Sequence, residues 1–570
     1  ELEGHGREDV IDGADLSRTV GWFTTRFPVA LPAASAAPGD ALIAVKERIR
    51  AVPNKGLHWG LLDASRTRPR PAISFNYLGR FDQSFDPASR FAFSSEDAGS
   101  SHGAGARLDY ALDLNGIVTG ETLLLRWRFD PARIDRESVE RIVAAFGKQV
   151  DALIAHCVAA PPGATASDFP LSGLDQARLR ALGLPLGGVA DIYPATPLQQ
   201  GLLYHSELQQ GEGVYVNQLQ LTLDGRLDDT ALRAAWQGAI ARHDMLRTRF
   251  EWRHGEAALQ IVQREAVLPF AVRDWRDAPD YDARLAAWRS ADLAAGIDAS
   301  RAPLMRVNVF RRPDGRFDLV RTHHHVLTDG WSGARLLAEV FDDYERALGL
   351  TRRDAARAAA GVPPPYRRYV EWLAAQPDPR DWWRERLAAA DDAGTLTASL
   401  AAPHDASANV PRKLAVELDA PLDARVRRAA QRHRVTLNTL MQGAWAVLLA
   451  RLSGKRSVAF GVTVSGRPAS LAGSEDMFGL FINSLPVFAA VPGDMTVSAW
   501  LDELQAYNLQ MREVEHTPLS SLQQWAGRSG DALFDSLIVF ENYPVAARAA
   551  STEADALRVD TRRDQDSVGV

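Results

Sequence analysis

The sequence predicts a mixed α/β or α+β protein built from several compact units, and three observations lead to this fold class. The chain has 570 residues, too many for one ordinary hydrophobic core, which suggests roughly three or four compact units. Apolar residues make up 46% and charged residues 24%, the balance of a globular protein. Helical and strand-like patterns also alternate along the chain, so neither element type dominates.

Helices are predicted where apolar residues recur on one face at the helical period of about 3.6 residues. Residues 228–250, 332–349 and 422–454 show this pattern. Strands are predicted where short runs are continuously apolar or alternate between apolar and polar residues. The strand-like runs are "VYVNQLQLTL", "LMRVNVFRR", "RFDLVRTHHHV", "SVAFGVTVSG" and "DSLIVFENY".

Charge and cysteine content narrow the function classes. The formal net charge of −7 comes with both signs interspersed and no broad cationic face, so we expect no nucleic-acid partner and no anionic membrane surface. Cys157 is the only cysteine, which excludes an internal disulfide framework and multi-cysteine metal sites and fits a reducing cytoplasm. The opening residues are polar and no run of about 18 apolar residues occurs, so we predict a cytoplasmic protein without a membrane span.

Two loosely patterned stretches divide the chain. From about 155 to 197, small residues, prolines and glycines replace the periodic apolar pattern, as expected of a linker. A second such stretch, near 348–369, contains a triple proline and suggests a boundary between lobes. The chain opens without a methionine and closes on a polar stretch with no predicted element, so we interpret it as a piece of a longer protein.

A half-repeat relates the two ends of the chain. "GWFTTRFPVAL" near the start and "GLFINSLPVFAAV" near the end share an aromatic residue, a small polar residue and a Pro-Val pair. Each is followed by a helical stretch and then by "AISFNYLGRFD" or "SLIVFENYPV". By this interpretation residues 1 to about 155 match the second half of the unit that spans about 190 to 555, so half a domain precedes a whole one.

The run "RTHHHVLTDGWSG", residues 321–333, is the strongest candidate for a functional site. It joins a predicted strand to a predicted helix, which brings its polar side chains to one junction. Because side chains alternate along a strand, His323 and His325 should share one face and His324 should point to the other. Asp329 can cap the following helix or orient an imidazole, and Gly330 permits a tight backbone.

Two plainer interpretations compete for this cluster. His323, His325 and Asp329 could serve as metal ligands, although their spacing is not the helical His-x-x-x-His pattern of zinc proteases. The histidines could also be ordinary loop residues whose nitrogens are satisfied by hydrogen bonds. The surrounding motifs decide between these interpretations and a catalytic one.

"HHVLTDG", residues 324–330, resembles the HHxxxDG signature of condensation domains in non-ribosomal peptide synthetases. Further segments match the motifs of that family in the same order. They are "YPATPLQQGLLYHS" at 193–206, "RHDMLRTRF" at 242–250, "YRRYVEWL" at 366–373, "FGLFINSLPV" at 478–487, and then "HTPLSSLQQW" and "FDSLIVFENY". The resemblance implies an α+β fold of chloramphenicol-acetyltransferase-like lobes, with residues 190–360 and 361–570 as the N- and C-terminal lobes of one complete V-shaped condensation domain.

The opening segment resembles the C-terminal lobe of the related epimerization domain. The matching motifs are "LEGHGRE", "DLSRTVGWFTTRFPV", "NKGLHWGLL" and "FNYLGRFD". We therefore assign residues 1–157 to a lone epimerization lobe and 158–189 to an inter-domain linker. The resemblance implies that Glu3, with Glu8 as the alternative, exchanges an α-proton, while Asn76 and Tyr77 border the same tunnel. Because the first lobe with its histidine motif is missing from the sequence, we expect this half to be inactive.

For the condensation domain, the resemblance implies a peptide-bond-forming acyltransferase. His325 would act as a general base or position the attacking amine, and Gly330 would serve the site through its missing side chain or its amide. His324 and Asp329 would hold the turn. Two other matched residues, Arg247 and Asn483, would either brace the lobes or touch substrate.

The same resemblance implies partners and substrates. The fragment needs no cofactor of its own, because its substrates arrive on the phosphopantetheine arms of upstream and downstream peptidyl carrier proteins, next to an adenylation domain. An epimerization unit ahead of a condensation unit implies a donor that ends in a D-residue and an L-configured acceptor. The alternatives are a non-catalytic recruitment domain, a free-standing coenzyme A-dependent acyltransferase, and a metal hydrolase.

Overall fold

The computed structural model describes residues 1–4, 7, 15–32, 37–62, 71–80, 96, 99, 103, 107–208, 214–252, 257–350, 362–388, 392–397, 400, 414–528, 531–541 and 557–566. The chain divides into two compact units. The first unit comprises residues 1–170 and 174–187, and the second comprises residues 171–173 and 188–570. The two units are built on separate sheets.

The first unit contains a five-stranded sheet in the order β2-β1-β3-β4-β5. Its strands are β1 Leu2–Gly4, β2 Thr25–Phe27, β3 Ile73–Arg80, β4 Leu112–Thr119 and β5 Thr122–Phe129, and its helices are α1 Pro38–Arg50, α2 Trp59–Leu62, α3 Arg136–Ala159 and α4 Gln176–Ala181. β1 is antiparallel to β2 and parallel to β3, and β3 is parallel to β4. β4 and β5 form a hairpin whose turn uses Gly120 at φ 58°.

Helix α3 is long and apolar enough to cross a membrane by length and composition alone. It is the one helix within the described residues that meets this test, and a single such helix is weak evidence because helices of soluble proteins meet it too. Asp135 caps its start by accepting a hydrogen bond from the Ser138 amide. The expectation of a protein without a membrane span therefore stays a prediction.

Residues 158–189, which the sequence assigns to an inter-domain linker, carry short helical elements. A 3-10 turn, Ala166–Asp168, begins with a capping box between Thr165 and Asp168, and α4 follows it. The Asp168 carboxylate also pairs with Lys46 and Arg50 of α1, each at 2.5 Å. Residues 165–168 are thus anchored to α1 within the first unit.

The first lobe of the second unit, residues 188–350, contains two sheets. One has the order β10-β11-β12-β7-β16 and the other β6-β9-β8. The elements are β6 Val189–Pro194, α5 Pro197–Leu208, β7 Val216–Asp224, α6 Asp229–Arg242, β8 Thr248–Glu251, β9 Leu259–Gln263, β10 Phe270–Asp274, α7 Tyr281–Ala294, β11 Met305–Arg311, β12 Phe317–His324 and α8 Gly330–Ala347. β16, Arg558–Asp566, comes from the end of the chain and pairs antiparallel with β7.

The second lobe, residues 362–541, contains a three-stranded sheet in the order β14-β13-β15 among the described residues. The elements are α9 Arg367–Ala374, α10 Arg380–Leu387, α11 Ala420–His433, α12 Leu437–Ser453, β13 Ser457–Val464, β14 Asn483–Ala490, α13 Val497–Met511, α14 Leu519–Trp525 and β15 Leu537–Ile538. β13 is antiparallel to β14 and parallel to β15. Residues 458–462 of "SVAFGVTV" are consecutively buried, so both faces of β13 are covered.

A continuous hydrophobic core joins the two lobes of the second unit. On the first-lobe side it contains the inward-facing residues Leu219, Leu221 and Leu223 of β7. On the second-lobe side it includes Tyr366, Phe478 and Phe481. Since both lobes contribute to one buried cluster, the histidine turn at the end of β12 has a fixed position relative to the second lobe.

Candidate functional site at the end of the central strand

The histidine run lies at the end of β12, an interior strand that pairs with β11 on one side and β7 on the other. Every residue of β12 is buried. The strand ends at His324, a 3-10 turn covers His325–Leu327, and α8 begins at Gly330. The predicted strand, turn and helix are therefore present in the predicted order.

His323 and His324 are enclosed by protein. Burial lowers the pKa of His323 well below its usual value, and burial lowers the pKa of His324 to about 4. In His324, Nδ1 accepts a hydrogen bond from the Val326 amide at 3.1 Å, and Nε2 lies 3.1 Å from Ser206 Oγ. Both rings are thus neutral at neutral pH, and His324 caps the turn that follows it.

His325 differs from its neighbours because its ring is only half-buried. Its amide donates to the Tyr215 carbonyl at 2.7 Å, which fixes the backbone. Its Nδ1 is buried and has no hydrogen-bond partner among the described residues, so Nε2 is the nitrogen left available to a reactant. An imidazole held this way can accept a proton or a hydrogen bond from a nucleophile.

Asp329 is a structural residue in the described geometry. It is 2% exposed and caps α8 by accepting a hydrogen bond from the Ser332 amide at 2.8 Å. Its carboxylate also lies 3.4 Å from the Arg467 guanidinium and accepts from the Phe481 amide at 3.2 Å. Of the two predicted roles, helix capping is the one that the contacts show, and no contact with an imidazole occurs among the described residues.

The second lobe closes against this turn through small residues. Ser332 Oγ donates to the Gly479 carbonyl at 2.9 Å, and the Gly479 amide donates back at 3.2 Å. A Cβ at position 479 would overlap the ring of Tyr366, whose hydroxyl donates to the Leu480 carbonyl at 2.5 Å. Glycine is therefore needed at 479 because two lobes and a buried ring meet there.

Helix α5 supports the turn from the other side. Gln199 is fully buried, and its Nε2 donates to the Val326 carbonyl at 3.3 Å and to Gln260 at 3.2 Å. Ser206, near the end of the same helix, contacts His324 as described above. The motif "YPATPLQQGLLYHS" thus serves the site by holding both residues that flank His325.

Arg247 and Asn483 lie away from the histidines. The Arg247 guanidinium donates to the Ile240, Gln263 and Arg264 carbonyls of its own lobe and pairs with Asp244 at 2.5 Å. Asn483 donates to the Glu515 and Thr517 carbonyls at 2.8 and 2.7 Å. Neither contacts the histidine turn in the described structure, so each braces one lobe from within.

Gly330 is the first residue of α8 and is exposed at the surface of the turn. Beside it, Trp331 is half-buried and donates to the Glu475 carbonyl at 3.4 Å, so its indole is not part of the core. Arg467, which the sequence analysis missed, has a side chain only 6% exposed at the junction of the lobes. Its one available signal was its place directly after a predicted strand, in "VTVSGRP".

The predicted epimerization residues lie on neighbouring strands of the first unit. Glu3 is an exposed residue of β1, opposite Arg26 of β2. Asn76 and Tyr77 belong to β3, which pairs with β1, and Tyr77 is 54% exposed. Glu8 lies outside the described residues. The structure therefore brings Glu3 and Asn76 onto adjacent strands without any hydrogen bond between them.

A metal site would need three suitable ligands close together. In the part of the chain that the structure describes, no group of three His, Cys, Asp or Glu residues could hold a metal ion. Asp329, the third ligand that the sequence offered, is engaged by Ser332, Arg467 and Phe481.

Comparisons with known proteins agree on one family. The family model described as "Condensation domain" matches residues 1–161 and 189–566. A linear gramicidin synthase protein of Brevibacillus parabrevis is 38% identical over 567 residues, and a mycosubtilin synthase protein of Bacillus subtilis is 36% identical over 567 residues. Both alignments cover 95% of this chain, but only 7% and 21% of those relatives.

The fold has solved counterparts. A crystal structure described as holo T3CT matches with a TM-score of 0.50 at 21% identity, covering 70% of this chain and 86% of that one. A four-domain non-ribosomal peptide synthetase bound to AMP and glycine matches with a TM-score of 0.50 at 17% identity, covering 62% of this chain and 27% of that one. The predicted α+β fold of chloramphenicol-acetyltransferase-like lobes is confirmed.

Proposed function

The chain belongs to the condensation domain family, and on that premise we propose that its second unit forms an amide bond between two substrates held as thioesters on carrier proteins. The donor is an aminoacyl or peptidyl group on an upstream carrier protein, and the acceptor is an aminoacyl group on a downstream one. The unit needs no cofactor, because the reactive thioesters belong to the phosphopantetheine arms of its partners. We place it in the cytoplasm, beside an adenylation domain.

One observation carries this proposal. The half-buried imidazole of His325 stands at the end of an interior strand, between two lobes that share a core, with Nε2 unengaged by any described residue. The residues on both sides of it are enclosed and hydrogen-bonded, so the ring is presented by a rigid frame. Catalytic groups are effective when they are held in this way.

The chemistry needs one nucleophile and one proton acceptor. The lone pair of the acceptor amine attacks the thioester carbonyl carbon, a C–N bond forms, the C–S bond breaks, and the amine proton leaves with the released thiol. His325 either carries that proton as a general base, typically worth about 10²–10⁴-fold, or holds the amine in line for attack. Positioning of two tethered substrates can contribute about 7–11 kcal/mol, so it outweighs proton transfer.

We further propose that the donor ends in a D-residue. The first unit supports this, since its opening motifs resemble the C-terminal lobe of an epimerization domain, and such a unit would supply inverted residues to the condensation unit after it. Glu3 would be its proton-exchanging carboxylate, with Asn76 and Tyr77 beside the same tunnel. Residues 1–157 contain no His-His-x-x-x-Asp-Gly motif of their own, so on their own they would not epimerize a substrate.

Amide formation by the full chain can be tested with four donors. D- and L-aminoacyl groups are loaded on an upstream carrier protein or supplied as coenzyme A thioesters, with an aminoacyl-loaded downstream carrier protein as acceptor, and dipeptide is measured by mass spectrometry. We expect product from carrier-bound donors, faster for the D-donor. His325→Ala should abolish it, whereas the matched variant His205→Ala, an exposed histidine on α5, should not.

Each other outcome points to a different function. Faster reaction of the L-donor overturns the donor assignment but leaves amide formation intact. Equal use of coenzyme A thioesters indicates a general acyltransferase. No product from any donor, with the protein folded, indicates a recruitment domain.

A further inference from the structure

We propose that Ser206 is a positioning residue for His325 and acts through His324. The proposal rests on the proposed function, since it assigns a residue that sets the geometry of the same site. Ser206 lies near the end of α5, half-buried, and contacts neither the accessible ring nitrogen of His325 nor any residue of the second lobe in the described structure. Its effect must therefore pass through the residue it touches.

The hydrogen bonds fix the tautomer of His324. Nδ1 lies 3.1 Å from the Val326 amide nitrogen, and since that amide can only donate, Nδ1 must be the unprotonated nitrogen. The ring is neutral because burial lowers its pKa to about 4. The single ring proton is then on Nε2, which donates to Ser206 Oγ at 3.1 Å.

Ser206 also connects His324 to a second segment, Val214 and Tyr215. With its oxygen accepting from His324, its hydroxyl hydrogen is free to donate, and the Val214 carbonyl lies 3.4 Å away. Val214 precedes Tyr215, which has a left-handed backbone at φ 61° and whose carbonyl accepts the His325 amide at 2.7 Å. A non-glycine residue at positive φ needs support from its surroundings, and such strain is common at functional sites.

These contacts form a closed loop around the backbone of His325. The chain runs from Ser206 to Val214, along the backbone to Tyr215, across to His325, back to His324 and again to Ser206. Ser206 is the side chain that joins the two ends. If the Ser206 hydroxyl is removed, His324 loses the acceptor of its ring proton. The Val214–Tyr215 segment then loses the hydrogen bond that connects it to α5.

His325 depends on this loop because it has no orienting partner of its own. Its Nδ1 is buried without a partner among the described residues, whereas many catalytic histidines are oriented there by a carboxylate. The nearby carboxylate of Asp329 is engaged in capping α8 and in pairing with Arg467. Orientation of the His325 ring therefore comes from its backbone, which Ser206 helps to fix.

The experiment compares Ser206→Ala, Ser206→Thr and a control on the same helix, Glu207→Ala, all in the full chain. For amide formation from loaded carrier proteins, we expect Ser206→Ala to lower kcat by roughly 10- to 100-fold with KM for the loaded acceptor nearly unchanged, since misplacement of a catalytic group acts on the chemical step. Ser206→Thr keeps the hydroxyl and should recover most of the activity. Glu207→Ala should match the wild type.

A second readout does not depend on activity. In ¹⁵N-histidine spectra, the wild-type His324 ring should show a protected Nε2 proton, and Ser206→Ala should lose that protection while Ser206→Thr retains it. Unchanged kcat in Ser206→Ala, together with a strong loss in His325→Ala, would overturn the positioning role alone. Unchanged activity in His325→Ala would instead overturn the proposed function. If Ser206→Ala does not fold, Ser206→Thr decides, because activity well below wild type with a protected Nε2 proton contradicts the proposal.

Discussion

An arginine three residues beyond the end of a strand makes similar contacts in each unit of the chain. In the first unit, Arg7 donates to the Leu16 and Thr19 carbonyls and lies 4.2 Å from the centre of the Phe23 ring. In the second unit, Arg467 donates to the Ser474 and Met477 carbonyls at 2.6 and 3.0 Å and lies 4.0 Å from the centre of the Phe481 ring. The strands that follow, β2 and β14, each run antiparallel to the strand before the loop.

The two loops differ in what else the arginine touches. Arg467 reaches Asp329 at 3.4 Å and Ser332 Oγ at 2.7 Å, and both residues belong to the histidine-bearing lobe. Arg7 makes no ion pair with any described residue. The contacts with backbone carbonyls and a phenylalanine ring are therefore common to both arginines, whereas the contact with the histidine-bearing lobe is described for Arg467 alone. Substitutions in the two units can sharpen this comparison.

Arg467→Ala should have the largest effect. It leaves the buried Asp329 carboxylate without its cation, and breaking such a pair typically costs about 3–5 kcal/mol. Arg7→Ala should change the free energy of unfolding of the first unit by less than about 1 kcal/mol, because the Arg7 side chain is exposed. Hydrogen exchange of peptides from α8 and from α1 measures the two effects in the same chain. Equal protection losses in both units would remove the distinction between the loops.

Gly479→Ala should have the second largest effect. We expect it to lower the free energy of unfolding of the second unit by about 2–3 kcal/mol. A Cβ there overlaps the fully buried Tyr366 ring, which cannot move aside. The equivalent glycine of the first unit is Gly21, where the nearest atom to a Cβ is in the Phe23 side chain at 3.0 Å. Gly21→Ala is therefore the matched control and should be tolerated. Denaturant unfolding checks both, and a stable Gly479→Ala variant would mean that the lobes meet less tightly at this point.

The pH dependence of stability should also separate the units. Burial raises the pKa of Glu515 to about 7 from an unfolded value of 4.5, so the folded state holds an extra proton between these values. Stability from this group is therefore present below about pH 4.5 and is lost as pH rises through about 7. Glu515→Gln should stabilise the second unit at pH 8 by an amount on the order of 2 kcal/mol and have little effect at pH 4.5. Thermal unfolding at both pH values measures this, with the exposed neighbour Glu513→Gln as control.

Asp168→Asn should have the smallest effect. It weakens the contacts of residues 165–168 with α1. Because Lys46 and Arg50 are partly exposed and solvent screens their charges, we expect the free energy of unfolding of the first unit to fall by about 1 kcal/mol. The readout is proteolysis between residues 158 and 187, which should become faster while α8 keeps its protection. Faster cleavage throughout the second unit would contradict this local role.

Much of the fold could be predicted because its pattern is local. The strand-turn-helix around the histidines follows from an apolar run, a polar turn and an amphipathic helix in sequence order. β16 could not be predicted, since "RVDTRRDQD" is polar except for Val559 and joins the sheet through backbone pairing with β7 and an ion pair between Asp560 and Arg316. The anchoring of residues 165–168 could not be predicted either, because the Asp168 carboxylate pairs with side chains more than 100 residues away in sequence.

The candidate site was predicted in part for a similar reason. The histidines and Asp329 occur together in one motif, so sequence alone could group them. Arg467 and Gly479 reach the site from a lobe that lies far away in sequence, and only folding shows them to be its partners. Arg247 belongs to one of the matched motifs and was expected either to brace the lobes or to touch substrate, and its guanidinium donates to carbonyls of its own lobe.

The most direct test of the account is the single-turnover rate of amide formation, measured by rapid quench with both carrier proteins preloaded and the full chain in excess. This rate isolates the chemical step at which His325 is proposed to act. We predict that His325→Ala slows it by at least roughly 100-fold, with the unfolding temperature unchanged. A folded His325→Ala protein that forms the bond at the wild-type rate would contradict the account.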